Sequence, residues 1–192
     1  KEEEELMGYG ISTCATCDGY FFKGRNIVVV GGGDSAMEEA SFLTKFAKKV
    51  TIIHRSESFK ASKIMLDRAK NNPCIDILTN KSIKSINGSQ KDGISSVALV
   101  DSLTGEESNF NCEGVFYGIG HTPNTLQFDG VIDLNENGYI ITKSDSSLTN
   151  IPGVFACGDV QDDHYRQAIT AAGSGCMAAI DAEKYLEDNI TK

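Results

Sequence analysis

The sequence lacks the basic surplus and the long apolar runs that mark several protein classes. Of its 192 residues, 27 are acidic and 18 are basic, so the formal net charge is −9. Because phosphate binding needs surplus Lys and Arg, this balance argues against a nucleic acid or an anionic membrane as a partner. No apolar stretch approaches the roughly 18 residues of a membrane span, and no signal peptide opens the chain.

The sequence also lacks the closely spaced cysteines of a disulfide-stapled protein. Its six cysteines lie at positions 14, 17, 74, 112, 157 and 176, and only the first two are close together. We expect Cys74, Cys112, Cys157 and Cys176 to be small buried side chains. Isolated thiols indicate a reducing compartment, which we take to be the cytoplasm. The first residue, Lys1, is not Met, so we expect the natural N-terminus to lie elsewhere.

The apolar pattern predicts an α/β fold with a parallel sheet. Ile27–Val30 and Val50–Ile53 are continuous apolar runs, as in buried parallel strands, and 34–46 between them has helical spacing. Further along the chain, the pattern predicts a second helix at 62–70 and short strands at 75–79, 82–86, 95–101 and 107–111. Later strands are predicted at 115–119, 139–142 and 154–157, followed by a long helix at 165–187. We place a domain boundary near 118–125.

A glycine-rich loop follows the first of these strands. Gly31, Gly33 and Ala36 fit the spacing of a dinucleotide fingerprint, with Asp34 and Ser35 between them, and the loop opens a helix as that fingerprint requires. Its glycines allow backbone N–H groups to approach a pyrophosphate. The alternative is a glycine turn in an unrelated α/β fold.

Cations stand where NAD-binding proteins usually carry an acidic residue. The second strand is followed by His54 and Arg55, with Lys60 shortly after. Since cations suit a ribose 2′-phosphate, the sequence favours NADPH over NADH. The alternative is a solvated basic turn.

Cys14 and Cys17 form a CxxC motif that is followed at once by Asp18. A c-type haem attachment needs His at that place, and neither the other cysteines nor the three histidines supply a second ligand pair for zinc. We therefore predict a redox dithiol and no metal site. A thiol of such a motif has a lowered pKa, and Asp18 can donate or accept the proton of the exchange.

A last polar cluster surrounds the predicted strand end at Cys157. Gly158 and Asp159 follow that strand, where α/β sheets bind ligands, and Asp159 can accept hydrogen bonds from sugar hydroxyls. Arg166, Gln167 and Ala168 open the last helix and suit a ligand with carbonyl and anionic ring atoms, such as a flavin. The alternative is simple helix capping.

These motifs, in this order, resemble those of bacterial-type, low-molecular-weight thioredoxin reductases. The matching segments are CATCDG, GGGDSAMEEA, HRSESFKASKIM, GVFYGIGHTPNT and GVFACGDVQDDHYRQAITAAGSGCMAAIDAEKYL. The resemblance implies a Rossmann-like NADPH-binding domain at 1–118, with a parallel sheet and a small antiparallel meander. It implies that 119–192 is the C-terminal part of a second, FAD-binding α/β domain.

The resemblance also implies residue roles and an electron path. Electrons would pass from NADPH to FAD, then to the Cys14–Cys17 disulfide and on to thioredoxin, with Cys17 facing the flavin, Cys14 attacking thioredoxin and Asp18 as acid–base residue. The positions that would bind the cofactors are Gly31, Gly33, Asp34, Ser35, Ala36, Glu38, His54, Arg55, Lys60, Gly120, Gly158, Asp159, Arg166, Gln167 and Ala168. The resemblance further implies a homodimer, formed through the FAD-binding domain of the full-length protein.

The sequence departs from the family pattern in two respects. Ser56 and Lys60 stand where many relatives carry Arg, and Lys lacks the bidentate fork, so we expect weaker discrimination for the 2′-phosphate. The family's N-terminal FAD fingerprint is not in this sequence, so we expect a fragment or truncated product with half an FAD site. Two alternatives stay open: a module that only binds NADPH, and the reductase component of an alkyl hydroperoxide reductase system.

Overall fold

The computed structural model describes residues 2–190, which divide between Gly120 and His121 into two compact units. Within the described residues, no helix combines the length and the apolar character needed to cross a membrane. The first unit contains α1 (Glu2–Leu6), β1 (Ile11–Ser12), α2 (Ala15–Asp18), β2 (Asn26–Val30), α3 (Asp34–Leu43), β3 (Lys49–Ile53), α4 (Lys63–Lys70), β4 (Ile75–Leu78), β5 (Lys81–Ser89), β6 (Gly93–Asp101), β7 (Glu107–Asn111) and β8 (Val115–Tyr117).

Five parallel strands form the main sheet of this unit, in the order β1-β8-β2-β3-β4. A hydrophobic core lies on each face of this sheet, and successive residues of β2 point to opposite faces. Ile27 and Val29 pack with α3 on one face, and Val28 packs with the second sheet on the other. A continuous apolar run can bury both faces of a strand in this way. Each fully buried aliphatic side chain contributes about 1.5–3 kcal/mol. The predicted α/β fold with a parallel sheet is confirmed.

The second sheet of this unit is the predicted antiparallel meander. Its order is β5-β6-β7, and its apolar residues Val97 and Leu99 are buried against the main sheet. The helices α3 and α4 form close to their predicted positions, although α3 ends at Leu43, three residues before the expected end.

The second unit is mostly irregular up to a single long helix, α5 (Ala168–Ile190). Its core is small, formed by buried Ile132, Ile140 and Ala156 with partly buried neighbours. The strands predicted at 139–142 and 154–157 are wrong: Ile140 and Phe155 make only isolated antiparallel bridges, to Leu134 and Leu148. Neither segment has a neighbouring strand among the described residues, so a ladder does not extend beyond one residue pair.

Candidate functional site

Cys14 and Cys17 form a disulfide at the start of the short helix α2, with 5.3 Å between their Cα atoms. Cys14 is the residue before the helix, and its Sγ accepts a hydrogen bond from the backbone N–H of Cys17 at 3.2 Å. Once the disulfide is reduced, the same N–H can stabilise a Cys14 thiolate. The geometry therefore favours Cys14 as the attacking thiol of the reduced pair, while Cys17 is the more exposed residue.

Ser12, which no motif in the sequence marks, connects this disulfide to Asp18. The Ser12 Oγ donates a hydrogen bond to Asp18 Oδ2 at 2.7 Å and accepts one from the Cys14 N–H at 3.0 Å. Ser12 is buried at the end of β1, so the sheet fixes both contacts. Asp18 is thus held beside the CxxC turn, where its carboxylate can take part in proton transfer.

An exposed aromatic pair lies directly after this motif. Tyr20 and Phe21 are 66% and 71% exposed, which is unusual for side chains of this size. The Tyr20 ring packs edge-on against Phe46, with 6.0 Å between ring centroids, so its orientation is fixed. An apolar surface next to a disulfide is suited to contact with a protein substrate.

A cavity of about 640 Å³ lies in the first unit, beyond the carboxyl ends of β2, β3 and β8. A ligand crevice is expected at this edge of a parallel sheet. Of the predicted nucleotide-binding residues, the cavity is lined by Gly31, Gly33, Ser35, His54, Arg55, Lys60 and Gly120. It is not lined by Asp34, Ala36 or Glu38: Asp34 accepts a hydrogen bond from the Ser62 N–H at 2.7 Å, and Ala36 is buried.

Close backbone approach explains why the loop needs glycine at position 31. Gly31 has φ +154°, and a Cβ there would lie 2.4 Å from the carbonyl oxygen of Gly118. Gly33, by contrast, has φ −100°, and a Cβ there would meet nothing within 4 Å. The open space at Gly33 faces the cavity at the start of α3, where backbone N–H groups can receive a phosphate. These features fit a dinucleotide.

These two glycines give a matched pair of substitutions. Gly31→Ala is expected to lower the free energy of unfolding by about 2–4 kcal/mol, because the new Cβ clashes with backbone. Gly33→Ala is expected to change it by less than about 0.5 kcal/mol, yet to weaken nucleotide binding, because its methyl group occupies the phosphate approach. Urea denaturation and calorimetric titration check the two results. Equal stabilities of the two variants would contradict this interpretation.

His54 is fixed at the cavity wall, whereas the two cations beside it are exposed. The His54 Nε2 lies 3.0 Å from the carbonyl oxygen of Ser58 and 2.9 Å from Ser56 Oγ, and its ring stacks on Phe59. Ser56, which replaces the usual Arg, therefore positions His54 instead of adding a charge. Among the side chains that the structure describes, those of residues 3–189, Arg55 and Lys60 have no carboxylate partner.

The cavity also contains a cation and a tyrosine that were not among the predicted binding residues. Lys81 enters it from the start of β5 and forms an ion pair with Asp101 at 2.8 Å. The Lys81 ammonium and two backbone N–H groups hold the pKa of Asp101 well below its usual range. Tyr117, at the end of β8, donates a hydrogen bond to the carboxylate of Glu3.

In the second unit, the predicted flavin-binding residues surround a loop organised by Asp162. Its carboxylate accepts hydrogen bonds from the backbone N–H groups of His164, Tyr165 and Arg166. Burial alone would raise the pKa of Asp162, but these bonds and that of Thr170 lower it. The ionised Asp162 carboxylate therefore stabilises the folded state fully above the unfolded pKa near 3.8. This contribution is lost as the pH falls through the lower pKa of the folded state.

This loop changes the expected start of the last helix. Arg166 has φ +49°, so the helix begins at Ala168 instead of position 165, and Arg166 and Gln167 lie before it. Asp159 is exposed in a short 3-10 turn and does not follow a parallel strand, as the sequence had suggested. The fixed loop and the exposed first turn of α5 are compatible with one side of a flavin.

The remaining cysteines are less buried than expected. Only Cys112 is buried, and burial raises its pKa to about 11, so this thiol is unreactive at neutral pH. Cys74 and Cys157 are partly exposed, and Cys176, which lies on α5, is exposed. Among residues 2–190 no cluster of three metal-ligating side chains occurs.

A glycine-lined crevice on a parallel sheet, in one unit with a CxxC disulfide, is the arrangement of a nucleotide-dependent disulfide oxidoreductase. Comparison with known families agrees, since the profile for pyridine nucleotide-disulphide oxidoreductases matches residues 1–175. The chain belongs to this family.

Within this family, the chain is similar to proteins named thioredoxin reductase. The chain is 55% identical to a thioredoxin reductase of Mycolicibacterium smegmatis over 97% of its own length and 59% of the relative's. It is 51% identical to a bifunctional thioredoxin reductase/thioredoxin of Mycobacterium leprae, covering 97% of the chain and 40% of that protein. A crystal structure of thioredoxin reductase from Streptococcus pyogenes matches with a TM-score of 0.90 at 41% identity, over 97% of this chain and 60% of that one. The chain thus spans about three fifths or less of these relatives.

Proposed function

We propose that this chain carries the NADPH-binding and disulfide-containing part of an NADPH-dependent flavoprotein that reduces thioredoxin. Residues 1–118 would be the NADPH-binding domain and 119–192 the C-terminal part of the FAD-binding domain. The observation that carries the proposal is that one compact unit holds both the Cys14–Cys17 disulfide and a glycine-lined cavity with free cations. The names of the relatives support thioredoxin as the partner.

The exchange with thioredoxin would begin at Cys14. Its thiolate, stabilised by the Cys17 N–H, attacks one sulfur of the thioredoxin disulfide, and the other sulfur leaves as a thiolate that takes up a proton. The Cys17 thiol then gives up its proton and attacks the mixed disulfide, which re-forms the Cys14–Cys17 bond and releases reduced thioredoxin. Two electrons are transferred. Asp18, held by Ser12, accepts or returns the Cys17 proton.

The cofactors would be held by the two groups of residues described above. Gly31, Gly33 and Ser35 would hold the pyrophosphate of NADPH, with Arg55 and Lys60 on the 2′-phosphate. Asp159 and the stretch from Arg166 to Ala168 would hold one side of FAD. When bound, these cofactors supply the electron pair that reduces the Cys14–Cys17 disulfide.

The exposed aromatic pair would form the docking surface for thioredoxin. A Tyr20→Ser, Phe21→Ser double variant is expected to slow disulfide exchange with thioredoxin about tenfold, since central aromatic contacts contribute most to an interface. Exchange with a small aromatic disulfide should keep its rate, because that substrate needs no docking surface. Stopped-flow measurement of both reactions checks this. Leu103→Ser removes a similarly exposed side chain elsewhere and should change neither rate.

The cofactor assignment is tested by incubating the chain with FAD, desalting it and adding NADPH without oxygen. A flavin band that stays with the protein and bleaches, together with the release of two thiols, is the expected result. NADPH binding without retained flavin would instead support the alternative of a module that only binds NADPH. Reduction of a peroxiredoxin-type partner, but not of thioredoxin, would support the alkyl hydroperoxide reductase alternative.

The last part of the proposal concerns the oligomeric state, the partners and the cellular compartment. We infer a homodimer formed through the FAD-binding domain, because the family that the motifs resemble is dimeric. The acidic net charge of −9 supports neither a nucleic acid nor a membrane as partner. Four cysteines outside the CxxC pair, all unpaired, support a reducing compartment such as the cytoplasm.

A further inference from the structure

The cavity of the first unit has opposite charges at its two ends. Arg55 and Lys60 follow β3, and neither has a carboxylate partner among the described side chains of residues 3–189. Glu3 of α1 lines the opposite end, beside the residues that follow β8. Since β2 lies between β8 and β3 in the sheet, the glycine loop after β2 separates the two ends. The cavity is therefore cationic on one side of the loop and anionic on the other.

If the cavity is the proposed NADPH site, on which this inference rests, its opposite charges fix the direction in which the dinucleotide binds. The pyrophosphate would lie on the glycine loop, and the 2′-phosphate would lie on Arg55 and Lys60. The nicotinamide half then extends to the β8 side, where Tyr117, Gly118 and Glu3 line the cavity. The Glu3 carboxylate cannot bind a phosphate group, because both are negatively charged.

Glu3 is held at this position by contacts on both sides of α1. The Tyr117 hydroxyl donates a hydrogen bond to its carboxylate. Burial and the neighbouring Glu3 raise the pKa of Tyr117, so this hydroxyl keeps its proton and remains a donor at neutral pH. At the other end of the helix, Leu6 is buried in the core and the Glu5 carbonyl accepts a hydrogen bond from Gln90 Nε2 at 2.9 Å. The carboxylate is thus a fixed part of the cavity wall.

The oxidised and reduced nucleotides differ in the charge that would face Glu3. The nicotinamide ring of NADP⁺ is positively charged, whereas that of NADPH is neutral. We propose that the Glu3 carboxylate binds the charged nicotinamide ring of NADP⁺, and that it thereby strengthens binding of the oxidised nucleotide relative to the reduced one. The adenosine half, which is the same in both, would lie at the cationic end of the cavity, away from Glu3.

Calorimetric titration of the chain at low salt tests this, with NADP⁺, NADPH and 2′,5′-ADP as ligands. For Glu3→Gln, the Kd of NADP⁺ is expected to rise about threefold, a size typical of a partly exposed ion pair. The Kd values of NADPH and 2′,5′-ADP should stay within error. The NADP⁺ effect should shrink at high salt, where charges are screened. Glu4→Gln makes the same charge change on the same helix outside the cavity lining and should leave all three constants unchanged.

The outcomes separate this inference from the proposed function. If the wild-type chain binds all three ligands and Glu3→Gln changes none of them, or changes NADP⁺ and NADPH equally, the role of Glu3 is wrong and the nucleotide site stands. If Glu4→Gln reproduces the NADP⁺ effect, net charge and not position is responsible, and the role of Glu3 is again wrong. If the wild-type chain binds neither dinucleotide, the proposed function and this inference both fail.

Discussion

Replacing Cys17 by Ser is expected to stop disulfide exchange after its first step. The Cys14 thiolate can still attack thioredoxin, but no second thiol remains to resolve the mixed disulfide. The variant should therefore accumulate as a covalent adduct with thioredoxin, visible on a non-reducing gel and cleaved by dithiothreitol. Release of reduced thioredoxin should fall by at least a thousandfold. Nucleotide affinity should not change, because Cys17 does not line the cavity.

Cys14→Ser is the matched control for this prediction. It leaves the exposed Cys17 in place but removes the sulfur that the Cys17 N–H stabilises. We expect little adduct from this variant under the same conditions. An adduct that forms faster with Cys14→Ser than with Cys17→Ser would contradict the assignment of Cys14 as the attacking thiol. Loss of nucleotide binding in both variants would mean that the disulfide mainly maintains the fold.

The second large effect is expected at the cationic end of the cavity. Arg55→Ala removes a charge and a planar group that can bind a phosphate with two hydrogen bonds, so the Kd of NADPH should rise by roughly tenfold to a hundredfold. The Kd of NADH should hardly change, because NADH lacks the 2′-phosphate. Lys60→Arg should lower the Kd of NADPH, since it introduces a guanidinium that can bind the 2′-phosphate with two hydrogen bonds. Calorimetric titration with both nucleotides gives the ratio directly.

Arg68→Ala is a suitable control for this experiment. Arg68 is an exposed cation in the last turn of α4, outside the cavity lining. Its removal changes the net charge equally and should leave the ratio of NADPH to NADH affinity unaltered. Equal losses for NADPH and NADH in Arg55→Ala would contradict a 2′-phosphate site at this residue.

The first unit could be predicted well because its signals are local. Continuous apolar runs at β2 and β3, with α3 between them, define a βαβ unit from neighbouring residues alone. In the second unit, the segments around Ile140 and Phe155 have strand-like composition but no neighbouring strand among the described residues, and composition cannot supply a partner. The start of α5 was missed because Asp162 binds three following N–H groups, a turn that competes with the helix.

The site could be predicted only where its residues are adjacent in sequence. Gly31, Arg55 and the CxxC pair stand in recognisable spacings. Ser12 and Lys81 reach their sites through sheet pairing and a neighbouring sheet, which no local pattern encodes. The sequence did offer one signal for the β8 side: the polar Tyr117 stands at the end of an apolar strand, just before a glycine.

The most direct test of the account is a single exchange between the reduced chain and oxidised thioredoxin. The chain is reduced with dithiothreitol, desalted without oxygen and mixed with one equivalent of oxidised thioredoxin, and the thiols of both proteins are counted with time. This step needs no flavin and no nucleotide. We expect rapid formation of reduced thioredoxin together with the Cys14–Cys17 disulfide, with two electrons transferred per chain. A reduced chain that reacts with a small aromatic disulfide but leaves thioredoxin oxidised would contradict it.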